Sequence, residues 1–352
     1  MDRYKRQTNL PEIGESGQQK LTNAKVLVVG AGGLGCAVLP YLTAGGIGTL
    51  GIIDGDKVDI SNLHRQVLYT EESVGKPKVE EASKYIRKQN SETKIKTHNE
   101  FLTPKNAFST LEDYDVVIDA TDNLPTRYLI NDACVLLNKP FVYGSVYRHE
   151  GQVSVFNYKN GPTYRCLFKE NNSKPVNCEE AGTLGTTVAL IGMLQANEVI
   201  KIILETGDIL SGKLLIYNTL KNYQNIINFK KDKSLEVDFD FYKKEHLEKI
   251  SNNMTAEEAL NSNRILIDVR ELDETPFIQS DDILQLPLSQ LESDVSTLDK
   301  NKKYAIFCQH GIRSKIAINM LKKHHFKHVK NITDGAQTIY NLIEHGKEKS
   351  IY

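Results

Sequence analysis

The sequence predicts an α/β chain of two domains, and three observations carry that expectation. Its 352 residues exceed what one domain of about 100–200 residues accounts for. From residue 25 onward, short apolar β-branched runs alternate with helical stretches, the pattern of a largely parallel sheet covered on both faces. That pattern stops near residue 229, and a second α/β pattern begins near residue 255.

The elements follow in order. Lys25-Val26-Leu27-Val28-Val29-Gly30 reads as a buried parallel strand that ends in glycines and feeds a helix. Pro40 falls inside that helix and is expected to kink or loosen it. Further strands are expected at 49–54, 95–98, 116–119, 141–144 and 152–158, with helices at 78–89 and 126–138. Residues 186–205 have helical periodicity, and 214–218 look like a closing strand. Between 229 and 250, charged and aromatic residues alternate without a period, as in a linker wrapped on the surface. The second pattern has a helix at 255–261, strands at 265–269 and 304–308, a helix at 313–323 and a strand at 330–332. The expected layout is therefore a domain over 1–228, a linker over 229–250 and a small domain over 251–352.

Composition narrows the function. The formal net charge is −1, with 25% charged and 40% hydrophobic residues. That offers no basic footprint for nucleic acid and no polybasic membrane anchor. The first seven residues lack the apolar core of a signal peptide, and the longest apolar run, 188–194, is too short to span a bilayer. The five cysteines are odd in number, widely spaced and free of any CxxC pair. A reducing cytoplasm with one or two reactive thiols fits them better than a disulfide framework.

Gly30-Ala31-Gly32-Gly33-Leu34-Gly35 is a GxGxxG between a strand and a helix. Glycines let the backbone approach a phosphate, and the helix N-terminus supplies N–H donors. Asp54 ends the next strand, placed to accept from ribose hydroxyls. The loop alone suits NAD, and an NAD-dependent oxidoreductase is one reading. Asp56 and Asp59 crowd the region after Asp54, and Arg65 and Lys78 follow in Ser61-Asn62-Leu63-His64-Arg65-Gln66 and Gly75-Lys76-Pro77-Lys78. Cations beyond the ribose site suit a triphosphate better than a hydride carrier. Ile118-Asp119-Ala120-Thr121-Asp122-Asn123 is a strand ending in carboxylates, one of which can hold Mg²⁺ against phosphates.

In this order and spacing, RxxRQ from Arg3 to Gln7, GAGGLG, Asp54, SNLHRQ, GKPK and ATDN resemble the MoeB/ThiF/HesA adenylyltransferases, relatives of the ubiquitin-activating enzymes. The resemblance covers roughly residues 1–228 and implies a Rossmann-like adenylation domain. It implies that Gly30, Gly32, Gly33 and Gly35 meet the ATP phosphates and that Asp54, with Asp56 nearby, holds the ribose. It further implies that Asn62, Arg65 and Lys78 clamp the triphosphate, and that Asp122, beside Asn123, coordinates Mg²⁺. Arg6 would reach the phosphates of the other subunit's site, which requires a homodimer. The implied partner is a ubiquitin-like sulfur carrier of the MoaD/ThiS type with a C-terminal Gly-Gly, whose carboxylate becomes an acyl adenylate.

Many members of that family hold a structural zinc with two CxxC pairs. The first should fall at Thr163-Tyr164-Arg165-Cys166, where only Cys166 remains, and residues 219–250 contain no cysteine. One thiolate cannot make a Cys₄ site, so no structural zinc is expected. Cys178, in a polar stretch before the 186–205 helix, matches the family's cysteine that attacks an activated carrier or resolves a disulfide. A harmless loop thiol is the alternative, because Glu179 and Glu180 disfavour a thiolate there.

Cys308-Gln309-His310-Gly311-Ile312-Arg313-Ser314 follows a strand and opens a helix. Backbone N–H groups, Arg313 and the helix dipole are expected to converge on the sulfur and stabilise an anion. This loop resembles the active-site loop of rhodaneses, with Asp268 and Arg270 where that family has a DVR motif. The resemblance covers about residues 251–345 and implies a persulfide on Cys308, loaded from a cysteine desulfurase or thiosulfate. Together the two resemblances imply ATP and Mg²⁺ use, carrier adenylylation, then sulfur transfer to a thiocarboxylate. A conjugation activator stopping at a Cys178 thioester and a non-catalytic carrier-binding scaffold remain as alternatives. Molybdopterin, thiamine, cysteine and tRNA thiolation pathways are all compatible.

Overall fold

The computed structural model describes residues 3–169, 182–248, 252–278, 280, 282–309 and 311–349. The chain divides into two compact units, Met1–Tyr242 and Lys243–Tyr352.

The first unit opens with two short helices, α1 (Lys5–Thr8) and α2 (Gly14–Asn23). Strand β1 (Lys25–Val29) then enters the core, and every residue after Lys25 is buried. Its four aliphatic side chains cannot all point one way in a strand, so both faces must be covered. Helix α3 (Gly33–Ala44) returns the chain to β2 (Thr49–Ile53). It runs through Pro40 as one continuous helix, with the proline inside it as expected. The loss of one N–H is borne by a helix whose residues from Leu34 to Leu39 are all buried.

Next come α4 (Lys78–Gln89), β3 (Lys94–His98), α5 (Ala107–Leu111), β4 (Val116–Asp119), α6 (Leu124–Leu136), β5 (Phe141–Tyr147) and β6 (Glu150–Phe156). After α7 (Tyr164–Leu167), the long α8 (Gly185–Leu204) leads to a hairpin of β7 (Lys213–Asn218) and β8 (Tyr223–Asn228). The strand order is β3-β2-β1-β4-β5-β6-β7-β8. Pairings among β3, β2, β1, β4 and β5 are parallel. Those from β5 through β8 are antiparallel, so the sheet is mixed.

Two elements depart from the sequence expectation. The closing strand has a partner, β8, exposed along its whole length. Its Tyr-Gln-Asn-Ile-Ile-Asn sequence carries no period-2 signal, because neither face enters the core. Helix α8 falls where the 186–205 period places it, and only its apolar length departs from the expectation drawn from the 188–194 run: with 20 residues and mean hydropathy 1.5, it is long and apolar enough to cross a membrane. Here Val188, Ile191, Ala196, Val199 and Ile202 are buried in the core with α3 side chains.

The span expected to be linker is ordered in part. Helix α9 (Phe239–Tyr242) belongs to the first unit, with Tyr242 fully buried and its ring 4.8 Å from that of Phe108. The second unit begins with a helical turn, Lys243–Glu248.

The second unit holds a five-stranded sheet in the order β11-β10-β12-β13-β9. These are β9 (Asn253–Met254), β10 (Ile265–Asp268), β11 (Ile283–Gln285), β12 (Tyr304–Phe307) and β13 (Val329–Ile332). All its pairings are parallel. The helices are α10 (Ala256–Leu260), α11 (Leu291–Asp294), α12 (Ile312–Lys323) and α13 (Gly335–Lys349). Separate apolar clusters form on either side of the sheet, one around Ile306 and Leu321 and one around Phe307 and Ile339.

Candidate active site

A cleft of about 720 Å³ opens in the first unit where β1, β2 and β4 end. Ligands of open α/β sheets bind at such carboxyl ends. Gly30, with φ +100°, makes the turn out of β1, and a Cβ there would lie 2.6 Å from the Ala120 carbonyl oxygen. Gly32 caps α3, and both Gly32 and Gly33 line the cleft. Gly35 does not line it. A Cβ on Gly35 would sit 2.2 Å from the Gly30 carbonyl oxygen, so this glycine permits the contact between helix and strand end.

Asp54 fixes the loop. Its carboxylate accepts from the N–H of Ala31 (2.7 Å) and of Asp56 (2.8 Å). Burial pushes its carboxyl above the usual range, and these two donors oppose the push. Lys78, at the start of α4, is only 7% exposed, and its Nζ lies 2.9 Å from Oδ2 of the open Asp56 side chain. Arg65 donates to the Ser61 carbonyl (3.3 Å) and to the Asn62 amide oxygen (3.4 Å).

Asp122 and Asn123 follow β4 and line the same cleft. Asn123 caps α6 by accepting from the Thr126 N–H at 3.0 Å. Among the described residues none pairs with the Asp122 carboxylate. Magnesium commonly takes one or two carboxylates and completes its sphere with water and substrate phosphates. A single open carboxylate in the cleft that Lys78 and Arg65 also line fits that role. Among the described residues no group of three His, Cys, Asp or Glu could hold a metal by itself.

Two residues not singled out from the sequence shape this loop. Asp119 is fully buried and accepts from the Thr121 N–H (3.0 Å) and hydroxyl (2.6 Å). Arg127 on α6 lies 3.7 Å from Asp119, donates to the Thr121 carbonyl at 2.9 Å and sits over the Tyr143 ring. Burial pushes the Asp119 carboxyl up, while Arg127 and Thr121 pull it down. Only the fold brings Asp119 and Arg127 together. The signal available beforehand was a second acid three residues before Asp122.

Arg6 lies on α1, outside the cleft lining. Cys178 lies outside the described residues. Cys166 accepts from the N–H of Thr163 (3.4 Å) and of Asp232 (3.3 Å). Lys231 reaches back to the Asn160 carbonyl at 3.2 Å, and Lys169 pairs with Asp232 at 3.5 Å. The donor set around Cys166 does not fit a tetrahedral zinc: N–H groups point at the one sulfur.

In the second unit, Cys308 follows β12 and is 1% exposed. Gly311, at φ +73°, turns the loop into α12. The Ser314 N–H donates to the Cys308 sulfur at 3.4 Å. Arg313 makes a bidentate pair with Glu274, one arm at 2.6 Å. Glu274, in the loop after β10, is a carboxylate partner of Arg313 that the sequence did not indicate, and Arg313 still interacts with Cys308 electrostatically. The Arg313 hydrogen bonds hold the Glu274 carboxyl down at about 2. Arg270 is buried, forked onto Asp268 (2.7 and 3.1 Å) and in reach of the Gln309 side chain at 3.3 Å. His310 lies outside the described residues.

A glycine loop, a buried lysine and an open carboxylate thus share one cleft at the strand ends of an α/β unit. The chain belongs to the ThiF family, whose model matches residues 4–237. It is 53% identical over 219 residues to the adenylyltransferase and sulfurtransferase MOCS3 of Culex quinquefasciatus, a match covering 61% of this chain and 50% of that protein. It is 47% identical to the sulfur carrier protein adenylyltransferase of Thermus thermophilus, covering 63% of this chain and 84% of that one. Against the adenylyltransferase and sulfurtransferase MOCS3-2 of Zea mays it is 35% identical, covering 95% of this chain and 78% of that one. The matched part spans about half the length of the insect relatives.

Proposed function

We propose that this chain activates the C-terminal glycine of a ubiquitin-like sulfur carrier as an acyl adenylate and then supplies its sulfur. One observation carries the first half: Asp54, Arg65, Lys78 and Asp122 line one cleft around the glycine loop. A hydride carrier has no use for that set of charges beyond the ribose position.

In this reading Asp54 and its held loop receive the ribose. Lys78 exchanges Asp56 for a phosphate, and Arg65 with Asn62 grips the remaining charge. Asp122 holds Mg²⁺, which supplies charge neutralisation when bound. A carboxylate oxygen of the carrier forms a bond to the α-phosphorus, the bond to the β-phosphate bridge breaks, and pyrophosphate leaves. Two anions must meet, so the catalysis lies in positioning and charge neutralisation.

Sulfur transfer rests on the second unit and on relatives whose names include sulfurtransferase. A sulfane donor, thiosulfate or a cysteine desulfurase persulfide, loads Cys308 and leaves as sulfite or thiolate. The terminal persulfide sulfur attacks the acyl carbon and AMP leaves, giving an acyl disulfide. A thiol, Cys178 or external, then attacks the Cys308 sulfur. The S–S bond breaks, a new disulfide forms, and the carrier departs as thiocarboxylate. We place the adenylating domain over 1–242 and the sulfur domain after it, in a homodimer to which Arg6 contributes across subunits. No disulfide joins the four described cysteines, which fits a reducing compartment such as the cytoplasm.

The test is carrier-dependent exchange of labelled pyrophosphate into ATP. Asp122→Ala should lower it by roughly 10²–10³-fold, the usual cost of one charge-stabilising group. Exchange at the native rate would remove Asp122 from the chemistry and overturn this account of the cleft.

A further inference from the structure

The glycine loop of the first unit is gripped from behind as well as by Asp54. The Tyr69 hydroxyl donates to the Ala31 carbonyl at 2.7 Å. The Cys36 thiol reaches the same carbonyl oxygen at 3.6 Å. Tyr69 and Cys36 are both buried, and neither lines the cleft. Burial pushes the Tyr69 hydroxyl above its ordinary range and the Cys36 thiol up to about 12, so both keep the protons they donate. The Ala31 N–H is taken by the Asp54 carboxylate at 2.7 Å. The peptides on both sides of Ala31 are therefore held.

The peptide that joins Ala31 to Gly32 is trans. A planar trans peptide points its C=O and its N–H in opposite directions. With the Ala31 carbonyl turned inward to Tyr69, the Gly32 N–H is turned outward, and Gly32 lines the cleft. Among the described residues none accepts from that N–H. We propose that Tyr69 is a positioning residue for the triphosphate: its hydroxyl holds the Ala31 carbonyl inward and so keeps the Gly32 N–H aimed at a phosphate oxygen. This role rests on the proposed reading of the cleft as a triphosphate site. Tyr69 itself touches no nucleotide in it.

Tyr69 belongs to the segment that also carries Asn62 and Arg65. Backbone turns tie it there: the Gln66 N–H donates to the Asn62 carbonyl at 3.0 Å, and the Tyr69 N–H donates to the Gln66 carbonyl at 3.1 Å. One segment thus presents Asn62 and Arg65 to the cleft and a hydroxyl to the back of the glycine loop. Without that hydroxyl only the Cys36 thiol, a weak donor, retains the carbonyl. Gly32 has no Cβ to resist rotation of the peptide. A carbonyl turned outward would set its oxygen against a phosphate oxygen. The loss should therefore fall on the phosphates and spare the nucleoside.

The test compares the binding of Mg·ATP and of adenosine to the full chain by isothermal titration calorimetry. The native chain should bind Mg·ATP more tightly than adenosine. Tyr69→Phe keeps the ring and removes only the hydroxyl. It should weaken Mg·ATP roughly tenfold, the effect of one hydrogen bond to a charged group, and leave adenosine unchanged. Cys36→Ala removes the weaker donor and should show the same selectivity with a smaller loss. An equal loss for both ligands in Tyr69→Phe would show a general packing role and overturn the proposal. A larger selective loss in Cys36→Ala than in Tyr69→Phe would give the role to the thiol and overturn it too. A native preference for Mg·ATP that Tyr69→Phe leaves intact defeats the positioning role alone. A native chain without that preference defeats the triphosphate reading, and the role of Tyr69 falls with it.

Discussion

Charge at single residues decides most of what the two sites can do. Lys78 sits nearly out of water with one open carboxylate beside it, so in the proposed reading a triphosphate displaces Asp56 to use it. Asp119 and Arg127 make a buried pair whose work is to hold Thr121, and hence the loop that carries Asp122. In the second unit Glu274 titrates at about 2, below its ordinary 4.5. The sign follows from linkage: a depressed carboxyl adds stability above its unfolded value and loses it as pH falls through the folded one. Glu274 should therefore stabilise its unit above pH 4.5 and cease to do so on the way to about 2. Arg313 titrates far above that window and adds no slope. Glu274→Gln should be less stable at neutral pH and should lose less on acidification, read from urea midpoints between pH 7 and pH 3. Parallel losses in both proteins would show that the pair contributes nothing. Asp122, Lys78 and Arg65 could be singled out in the sequence because SNLHRQ, GKPK and ATDN follow the glycine loop in a fixed order, and the fold brings them to one cleft. Asp119, Arg127 and Glu274 could not, because their partners are far away in sequence or face the interior.

At the scale of elements, the parallel core was readable and its margins were not. β1, β2, β4 and α4 carry strong apolar runs or a helical period, and their bounds fall within a residue or so of expectation. β8 is exposed on both faces, β9 has two residues and β11 has three, so none offers a pattern long enough to detect. Helix α9 was hidden among the charges of 229–250. Its Tyr242 hydroxyl donates to the Pro104 carbonyl at 3.1 Å, while Phe241 lies beneath Arg165, 4.9 Å from its guanidinium. Arg165 is in turn forked onto buried Asp132 at 2.7 Å. Removing a buried aromatic ring typically costs about 3–5 kcal/mol. Tyr242→Ala should lower the stability of the first unit by about that amount in urea denaturation. A loss under about 0.5 kcal/mol, the range of surface substitutions, would mean that α9 is an undocked linker after all.

For the whole molecule, two units with separate cores join two chemistries that are each incomplete. On the proposed reading, the cleft of the first unit activates a carboxylate and has no sulfur to give it. On the same reading, the Cys308 loop carries sulfur but cannot make a carboxylate reactive. Sequence order alone conveyed this pairing, because each half carries its own compact motif. Which carrier is served was not legible, since that choice lies on a surface and leaves no spacing rule. The measurement that bears most directly on the account is the intact mass of Gly-Gly carriers after incubation with the chain, Mg·ATP and thiosulfate, beside the Cys308→Ala variant. One carrier should show an oxygen-to-sulfur mass shift with the native chain. With the variant, whose pyrophosphate exchange persists, that carrier should be AMP-modified or unchanged. The same sulfur-bearing product from Cys308→Ala, or unchanged mass on a carrier that the native chain demonstrably adenylylates, would contradict the account.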